Sequence, residues 1–486
     1  MACLWVDEFA QAHADCTDGE SFASTHEAFV HKRCAQLARA EIRRRAKLAP
    51  LPDAWKSIGK QERCAAFARL ALERAWALHQ DVQNHSVDSA TGKHVSFGLI
   101  RMANIGPLFD VALAIYRQGA PASGVRVHLC VYHSQFPLLA RSHIEQQLDA
   151  VFDRRPERNG DDPVLSRPAV RALLDEHSEL HHIFVVLASP VCEVGRDWDA
   201  DWAIAEPSSM RSLIQLAGRV RRHRPGPVAR ANMVVFDTNL RYFEEGNDIA
   251  PVFCKPGFEM PRHRPSNPGK SERQDSSGFF HLRSHRLTDL LGLADGKSDW
   301  PIDAQPRIRQ AVKLQPTLSL IDLEHGRMRD TMLPRDETSA CYTPVARDAT
   351  LQWYSGDGEP DQRLSLTGLL PQFQRFRHDP LPRTETVLLP TEDDDELRLH
   401  RVIDRRDRGQ TPYVDIRNLL MLVPDRDLSG PGIGPWCHVD LMDLLRQWAD
   451  AQDQSLYAGA ERVATASLPK SDQGWLFHSK LGFNKE

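Results

Sequence analysis

Short apolar runs rich in branched residues punctuate the middle of the chain: "VSFGLIRM" (95–102), "VRVHLCVY" (125–132), "IFVVLA" (183–188), "WAIA" (202–205) and "MVVF" (233–236). Such runs predict strands buried on both faces. Helical patterns separate most of them. In "PLLARSHIEQQLDAVF", Ile144, Leu148, Val151 and Phe152 share one face, Pro137 starts the pattern where a missing N–H does no harm, and Arg141 sits one turn before Glu145. Strands alternating with helices predict an α/β fold, a parallel sheet flanked by helices, over 91–255.

The flanks differ in pattern. Residues 1–90 read as a mostly helical segment, with a basic patch at "EIRRRAKLAP" and a break at "LPDAW" before the helix-like "ERCAAFARLALERAWALHQDV". Pro, Gly and Ser make 256–280 a linker. Residues 281–486 read as a smaller accessory domain of mixed structure. There a strand-like "TVLLP" leads into the acidic run "EDDDE" (392–396), simplest as a solvated loop; "SGPGIGP" reads as a plain loop; Leu441, Leu444, Leu445 and Trp448 build one amphipathic helix.

A second kind of stripe stands in "EPSSMRSLIQLAGRVRRHRPG". Between Met210 and Arg224 only Gly218 interrupts helix-tolerant residues, so a helix is predicted there, capped by Ser208 and stopped by Pro225 and Gly226. Leu213, Leu216, Ala217 and Val220 form its apolar stripe. Gln215, Gly218, Arg219 and Arg222 repeat the spacing about 200° around the helix, facing away from the core. A glycine inside a helix costs about 1 kcal/mol relative to alanine, so this one points to a close approach to the backbone. Two guanidiniums beside the gap suit a polyphosphate. A solvated basic helix that grips nucleic acid phosphates would show the same stripe.

Composition narrows the classes. The 486 residues allow two or three domains, and 41% hydrophobic with 26% charged residues is ordinary for a soluble globular protein. The net charge of -5 carries no whole-protein signal for nucleic acid or membrane, yet from Arg211 to Arg230 there are six arginines and no acid. Nine scattered cysteines fit neither a CxxC metal knuckle nor a dense disulfide frame, which predicts a reducing, cytoplasmic setting. The N-terminus lacks a signal-peptide pattern, and no run reaches the 18 apolar residues of a membrane span.

Ligands of open parallel sheets bind where strands end and loops turn outward. After "IFVVLA" comes "SPVCEVGRDWDADW", holding Gly195 and Asp197; "HLCVY" ends in "HSQF"; "GLIRM" ends in Ala103 and Asn104. These ends and the arginine helix are expected along one rim. Here the sequence resembles a known family. "QLAGRVRR" matches QxxGRxxR, motif VI of superfamily 2 helicases, "ASPVCEVGRDWD" matches motif V, and "IRMAN" with "YHSQF" occupies the motif IV region. The wording is closest to the helicase-nuclease of type I CRISPR systems, and "EPSSMRSLIQLAGRVRRHR" looks like its I-F subtype.

The resemblance covers the family's second half, and implies a second RecA-like domain followed by a C-terminal accessory domain lying over the DNA channel as a lid. Residues 1–90 would then be a helical connector from a first RecA-like domain. The Walker A pattern GxxxxGK[ST] does not occur: the GKS strings at Gly269 and Gly296 have Arg264 and Leu291 where the first glycine belongs. ATP with Mg2+ would therefore be shared with that first domain, and this chain alone would be inactive and bind no metal. Arg219 and Arg222 would reach the γ-phosphate, with Gln215 positioning the reacting end and Gly218 beside it; Gly195 and Asp197 would meet the ribose side. Single-stranded DNA would touch Asn104, His133, Ser134 and Ser189. Implied partners are an N-terminal helicase and HD-nuclease half, a CRISPR surveillance complex and an inhibitor protein. The alternative from another class is a non-catalytic module that binds nucleic acid or protein through the basic helix 210–224.

Other candidates carry less chemistry. Asp7 and Glu8 follow an apolar run as a Walker B strand would, but no phosphate loop precedes them; Ser89 in "DSATG" has polar flanks of a loop; His378 and Asp379 lack further ligands. His177 and His181 have metal-ligand spacing only if helical. Glu193, Asp197, Asp199 and Asp201 read as loop residues with separate jobs rather than a Mg2+ site.

Overall fold

The computed structural model describes residues 2–155, 162–244, 250–254, 258–262, 280–291, 299–309, 311, 313–332, 382–391, 393, 396–403, 412–437 and 439–486. Five parallel strands lie where the apolar runs predict them: β3 (His94–Arg101), β4 (Val125–Tyr132), β5 (His181–Ala188), β6 (Trp202–Ala205) and β7 (Met233–Phe236). Their side chains are buried almost throughout, because helices cover both faces. Three further strands precede or follow them: β1 (Arg45–Ala49), β2 (Ser86–Val87) and β8 (Asp299–Pro301). The sheet runs β13-β4-β5-β3-β6-β7-β1-β8, where β13 is Ile433–Pro435, and β2 pairs with the start of β3.

The helices of this unit are α3 (Lys60–His79), α4 (Ile105–Gln118), α5 (Leu138–Phe152), α6 (Pro168–Glu176) and α7 (Met210–Ala217). They follow α1 (Ala2–His13) and α2 (Gly19–Arg39), which form a hairpin ahead of the sheet. Chain order against sheet order, with right-handed crossovers, puts α3 and α4 on one face and α5 to α7 on the other. Among the described residues no helix is long and apolar enough to cross a membrane.

Two predicted boundaries move. The 1–90 segment is not purely helical: "RAKLA" is β1, paired in parallel with β7 from Ala46↔Met233 to Ala49↔Phe236, and α3 packs on α4. Five residues with two cations carry little strand signal of their own; pairing with β7 decides. "SGPGIGP" is not a plain loop either. Its Ile433, Gly434 and Pro435 pair with Val127, His128 and Leu129 of β4, and they sit at the edge, where a proline is tolerated. Gly430 and Gly432 permit the approach, since a Cβ would stand 2.0 Å from the Tyr116 carbonyl and 2.8 Å from that of Val125 respectively.

The remainder of the C-terminal region builds α8 (Leu320–Met332) and two small sheets. In the first, β9 (Arg383–Pro390) is flanked by β10 (Leu397–Val402) and β14 (Thr465–Pro469), with β11 (Tyr413–Asp415) beside β10. In the second, β15 (Trp475–His478) lies between β12 (Leu420–Leu422) and β16 (Gly482–Lys485). Helices α9 (Leu441–Ala451) and α10 (Leu456–Val463) pack on each other, and α9 is the predicted amphipathic helix. Most of the 256–280 linker, most of "EDDDE", and His378 with Asp379 lie outside the described residues.

Candidate functional site

Register brings the strand ends into line: Arg101 pairs with Ala188 and Ala205, and Ala188 with Tyr132. The residues that follow each strand therefore emerge along one edge, as the sequence predicts. Beyond β5, Ser189 leads into a tight turn, Pro190–Glu193, and then to exposed Gly195. Gly195 has φ 69°, a conformation that favours glycine.

The arginine segment departs from its predicted helix. Ser209, not Ser208, caps α7 by accepting the Ser212 N–H, and the helix ends at Ala217 with Gly218 as its C-cap. The N–H groups of Arg219 and Val220 fold back to Leu216 and Ala217, and the chain then runs extended beside Ala200, which donates to the Arg219 carbonyl and accepts from the Arg221 N–H. This tertiary pairing overrides helical propensity. Arg221, at φ 45°, turns the chain again. The i, i+3, i+4, i+7 stripe therefore does not exist as such.

Its members nevertheless gather. Arg219 is half-buried and its Nη2 donates to the Glu193 carbonyl at 2.8 Å, while its Nε finds no partner among the described residues. Arg222 donates from Nε to the Asp197 carboxylate and from Nη1 to the Gly218 carbonyl at 3.4 Å. Both partners of the Arg222–Asp197 pair are open to solvent, at 42% and 49% side-chain exposure, so the contact is worth about 0–1 kcal/mol. Burial pulls the Asp197 carboxyl up, but hydrogen bonds from Arg222 and His223 outweigh it and hold the group at about 2. Arg155 also contacts Asp197. Gln215 is half-buried on α7, and a Cβ at Gly218 would meet only the helix's own carbonyls, the nearest at 3.2 Å. Gly218, Arg219, Arg222 and Asp197 are thus joined in one unsealed patch, with Gln215 on the last turn of α7 ahead of it and Gly195 two residues before Asp197.

The predicted DNA-facing residues divide. Asn104 and Ser134 are half-buried at the ends of β3 and β4. Ser189 leaves the set: it is 2% exposed, and its hydroxyl is buried with no partner among the described residues, out of reach of a strand crossing the surface. His133 is withdrawn from the set. It is fully buried under the C-terminal hairpin, with Nε2 2.8 Å from the Leu481 carbonyl and Nδ1 accepting the Gln135 N–H at 3.1 Å. Burial pushes it down to about 4, so it is a neutral structural ring. Gly482, φ 73°, lets the hairpin close over it, since a Cβ there would stand 2.7 Å from the ring.

The weaker candidates also find places. Asp7 and Glu8 lie on α1, Ser89 lies in a turn, and His177 caps α6 while His181 begins β5, so the two histidines do not share a helix. Among the described residues one group converges as metal ligands would: Glu259, His281 and His285. Its hydrogen bonding is that of a closed knot. Glu259 accepts the N–H groups of Val252, Phe253 and Leu282 together with the His285 ring, and His281 Nδ1 lies 3.0 Å from the Met260 carbonyl.

Sequence reasoning missed a group beneath the patch. Arg101, wholly buried at the end of β3, pairs through Nε with Glu193 Oε1 at 2.7 Å, and Ser212 Oγ donates to the same oxygen at 2.5 Å. The signal was there: a cation inside the apolar run "GLIRM" requires a buried partner.

Two family models match the chain: the CRISPR-associated nuclease/helicase Cas3 C-terminal model over 94–225, and the Cas3 subtype I-F/YPEST-like C-terminal domain over 388–485. The CRISPR-associated nuclease/helicase Cas3 subtype I-F/YPEST of Pseudomonas aeruginosa is 40% identical over the whole of this chain and 40% of its own length. The chain belongs to the Cas3 subtype I-F/YPEST family. The protein of the same name from Pectobacterium atrosepticum is 39% identical over 68% of this chain and 28% of its own length. The chain thus spans well under half the length of the curated Cas3 relatives it matches. Among solved structures, T. fusca Cas3-ATP aligns at TM-score 0.40 and 14% identity, covering 92% of this chain and 42% of that one. The Cas3 model over 94–225 contains both the patch and the strand-end residues.

Proposed function

We propose that this chain supplies the second RecA-like domain and the accessory region of an ATP-dependent single-stranded DNA translocase in type I-F CRISPR interference. The phosphate loop and the HD nuclease of the complete enzyme would lie in residues outside these 486, and a CRISPR surveillance complex would deliver the DNA. One observation carries the reading. Arg219 and Arg222 stand just past the C-terminal end of α7, beside the residues that lead into β6, in a patch that is not sealed, held by two backbone carbonyls and one solvent-open carboxylate. Such cations can turn to a new anion at small cost.

Across a cleft closed by the other domain, Arg219 and Arg222 would stabilise charge on the γ-phosphoryl group, and Gln215 would orient the reacting end. Gly218 leaves room for the phosphates, and Asp197, once Arg222 turns away, would accept from a ribose hydroxyl while Arg155 and His223 keep it charged. Mg2+ would neutralise phosphate charge; no side chain of this chain is assigned to it. Asn104 and Ser134 would contact the DNA backbone. The non-catalytic alternative loses its main support, because the basic segment is not one helical face: Arg221 donates to the Gln83 carbonyl and Arg224 to Asp199 and Asp201.

The test is ATP turnover by this chain combined with the half that carries the phosphate loop. Arg219→Ala is expected to lower kcat about 10³-fold, the scale of an arginine finger, with its melting curve intact. Turnover unchanged in both Arg219→Ala and Arg222→Ala would overturn the assignment.

A further inference from the structure

We infer that Arg101 is a positioning residue that couples the DNA-facing strand ends to the segment bearing Arg219. Its side chain is wholly buried and ties two pieces of chain outside the sheet, the turn after β5 and helix α7, to the end of β6, which the ladder already holds against Arg101. Nε meets Glu193 in the turn after β5 at 2.7 Å. Nη2 donates to Ser212 Oγ on α7 at 2.9 Å. Nη1 donates to the Glu206 carbonyl at the end of β6 and lies 3.5 Å from Ser208 Oγ. Ser212 closes the ring by donating to Glu193, and the Glu193 carbonyl in turn holds Arg219. On the other side, Arg101 is followed directly by the loop to Asn104, whose Ala103 N–H is bound at 2.7 Å by the Glu206 carboxylate.

A guanidinium is a rigid planar fork. Its three contacts cannot slide independently, so a shift of the 102–104 loop displaces the turn at Glu193 and the start of α7 together. Buried ion pairs of this kind are often no more stabilising than apolar residues of similar volume; what this one supplies is geometry. The inference rests on the functional reading above, in which Asn104 meets DNA and Arg219 meets ATP.

The test uses the whole chain and a labelled single-stranded oligonucleotide, with affinity read by fluorescence anisotropy and backbone order by hydrogen exchange over 190–199 and 210–219. In the wild type, DNA slows exchange in both segments. Arg101→Lys keeps a cation against Glu193 but loses the fork, and Ser212→Ala leaves the ion pair and cuts its link to α7. Both variants are expected to melt near the wild type and to bind DNA within about threefold of it, while the DNA-dependent change at 210–219 disappears. A role limited to neutralising Glu193 predicts instead that Arg101→Lys behaves as the wild type, and that result overturns the inference. So does a wild type that binds DNA without any change at 210–219. A wild type that binds no single-stranded DNA overturns the functional reading as well, and ATP turnover of Arg219→Ala then decides its nucleotide part separately.

Discussion

Two groups of arginine and aspartate form around the same short stretches, "GRDWDAD" and "RVRRHR", each joined by residues from 153–162, and have opposite fates. The inner group is largely buried. Arg154, with no exposed surface, holds Asp162 and Asp201, and Arg224 holds Asp199 and Asp201, while Asp201 also accepts the Phe97 N–H at 2.8 Å. The outer group is open: Arg222 and Arg155 contact Asp197, with His223 Nε2 3.3 Å away, at a carboxylate half exposed to water. Residue type does not distinguish the groups; depth along two adjoining extended segments does. Where water is excluded, every charge must be paired and the pairs become structure. Where water reaches, the pairing is weak and the cations stay available.

The harshest way to disturb the contrast is acid, and it confines the comparison to neutral pH. Burial lowers His79 to about 3 and His133 and His182 to about 4, so these rings stay neutral in the fold while the unfolded chain, near 6.5, takes up protons. Their contribution is complete above pH 6.5 and is lost as pH falls toward 4. Glu206 and Glu324, raised by burial to about 7, act in the opposite sense, contributing fully below 4.5 and losing that contribution as pH rises through 7. Urea midpoints are expected to fall from pH 7 to pH 5, and to fall more steeply in Glu324→Gln, which removes one opposing group. A midpoint in Glu324→Gln that stays flat across that range would contradict the burial of the three rings.

At neutral pH the groups separate. Arg154→Met leaves buried carboxylates short of a partner and is expected to cost about 3–5 kcal/mol in urea unfolding. Asp162→Asn is milder. Burial raises this carboxyl, but Arg154 outweighs it and holds the group at about 2 against a reference of 3.8, which makes its loss worth about 2 kcal/mol. Arg222→Ala and Asp197→Asn stand at the small end, within about 1 kcal/mol of the wild type. An outer variant that destabilises as much as Arg154→Met would erase the distinction on which the proposed site depends.

The sequence displays the parts of this molecule whose signals are local. Strands β3 to β7 have apolar runs of their own, α5 and α9 have helical periodicity, and the loops after β3 and β5 lie where strand ends predict them. What it hides are structures made by distant partners. Nothing near "RAKLA" announces β7, nothing in "SGPGIGP" announces β4, and the helix over 210–224 fails at Gly218 because Ala200 offers a better partner to the next residues. His133 reads as a rim residue until a hairpin from some 350 positions later covers it. The Gln215, Arg219 and Arg222 patch was readable for a different reason: its residues lie within eight positions, so a wrong secondary structure still left them together.

Strand β13 has a consequence for synthesis. The edge of β4 that it covers is made some 300 residues earlier, and until Ile433 to Pro435 arrive, that edge stands as an open ladder able to template a second molecule. A nascent or prematurely terminated chain would thus carry an aggregation hazard that the folded protein has buried, and the emergence of residues 433–435, rather than completion of the central strands, would set the moment when it becomes safe.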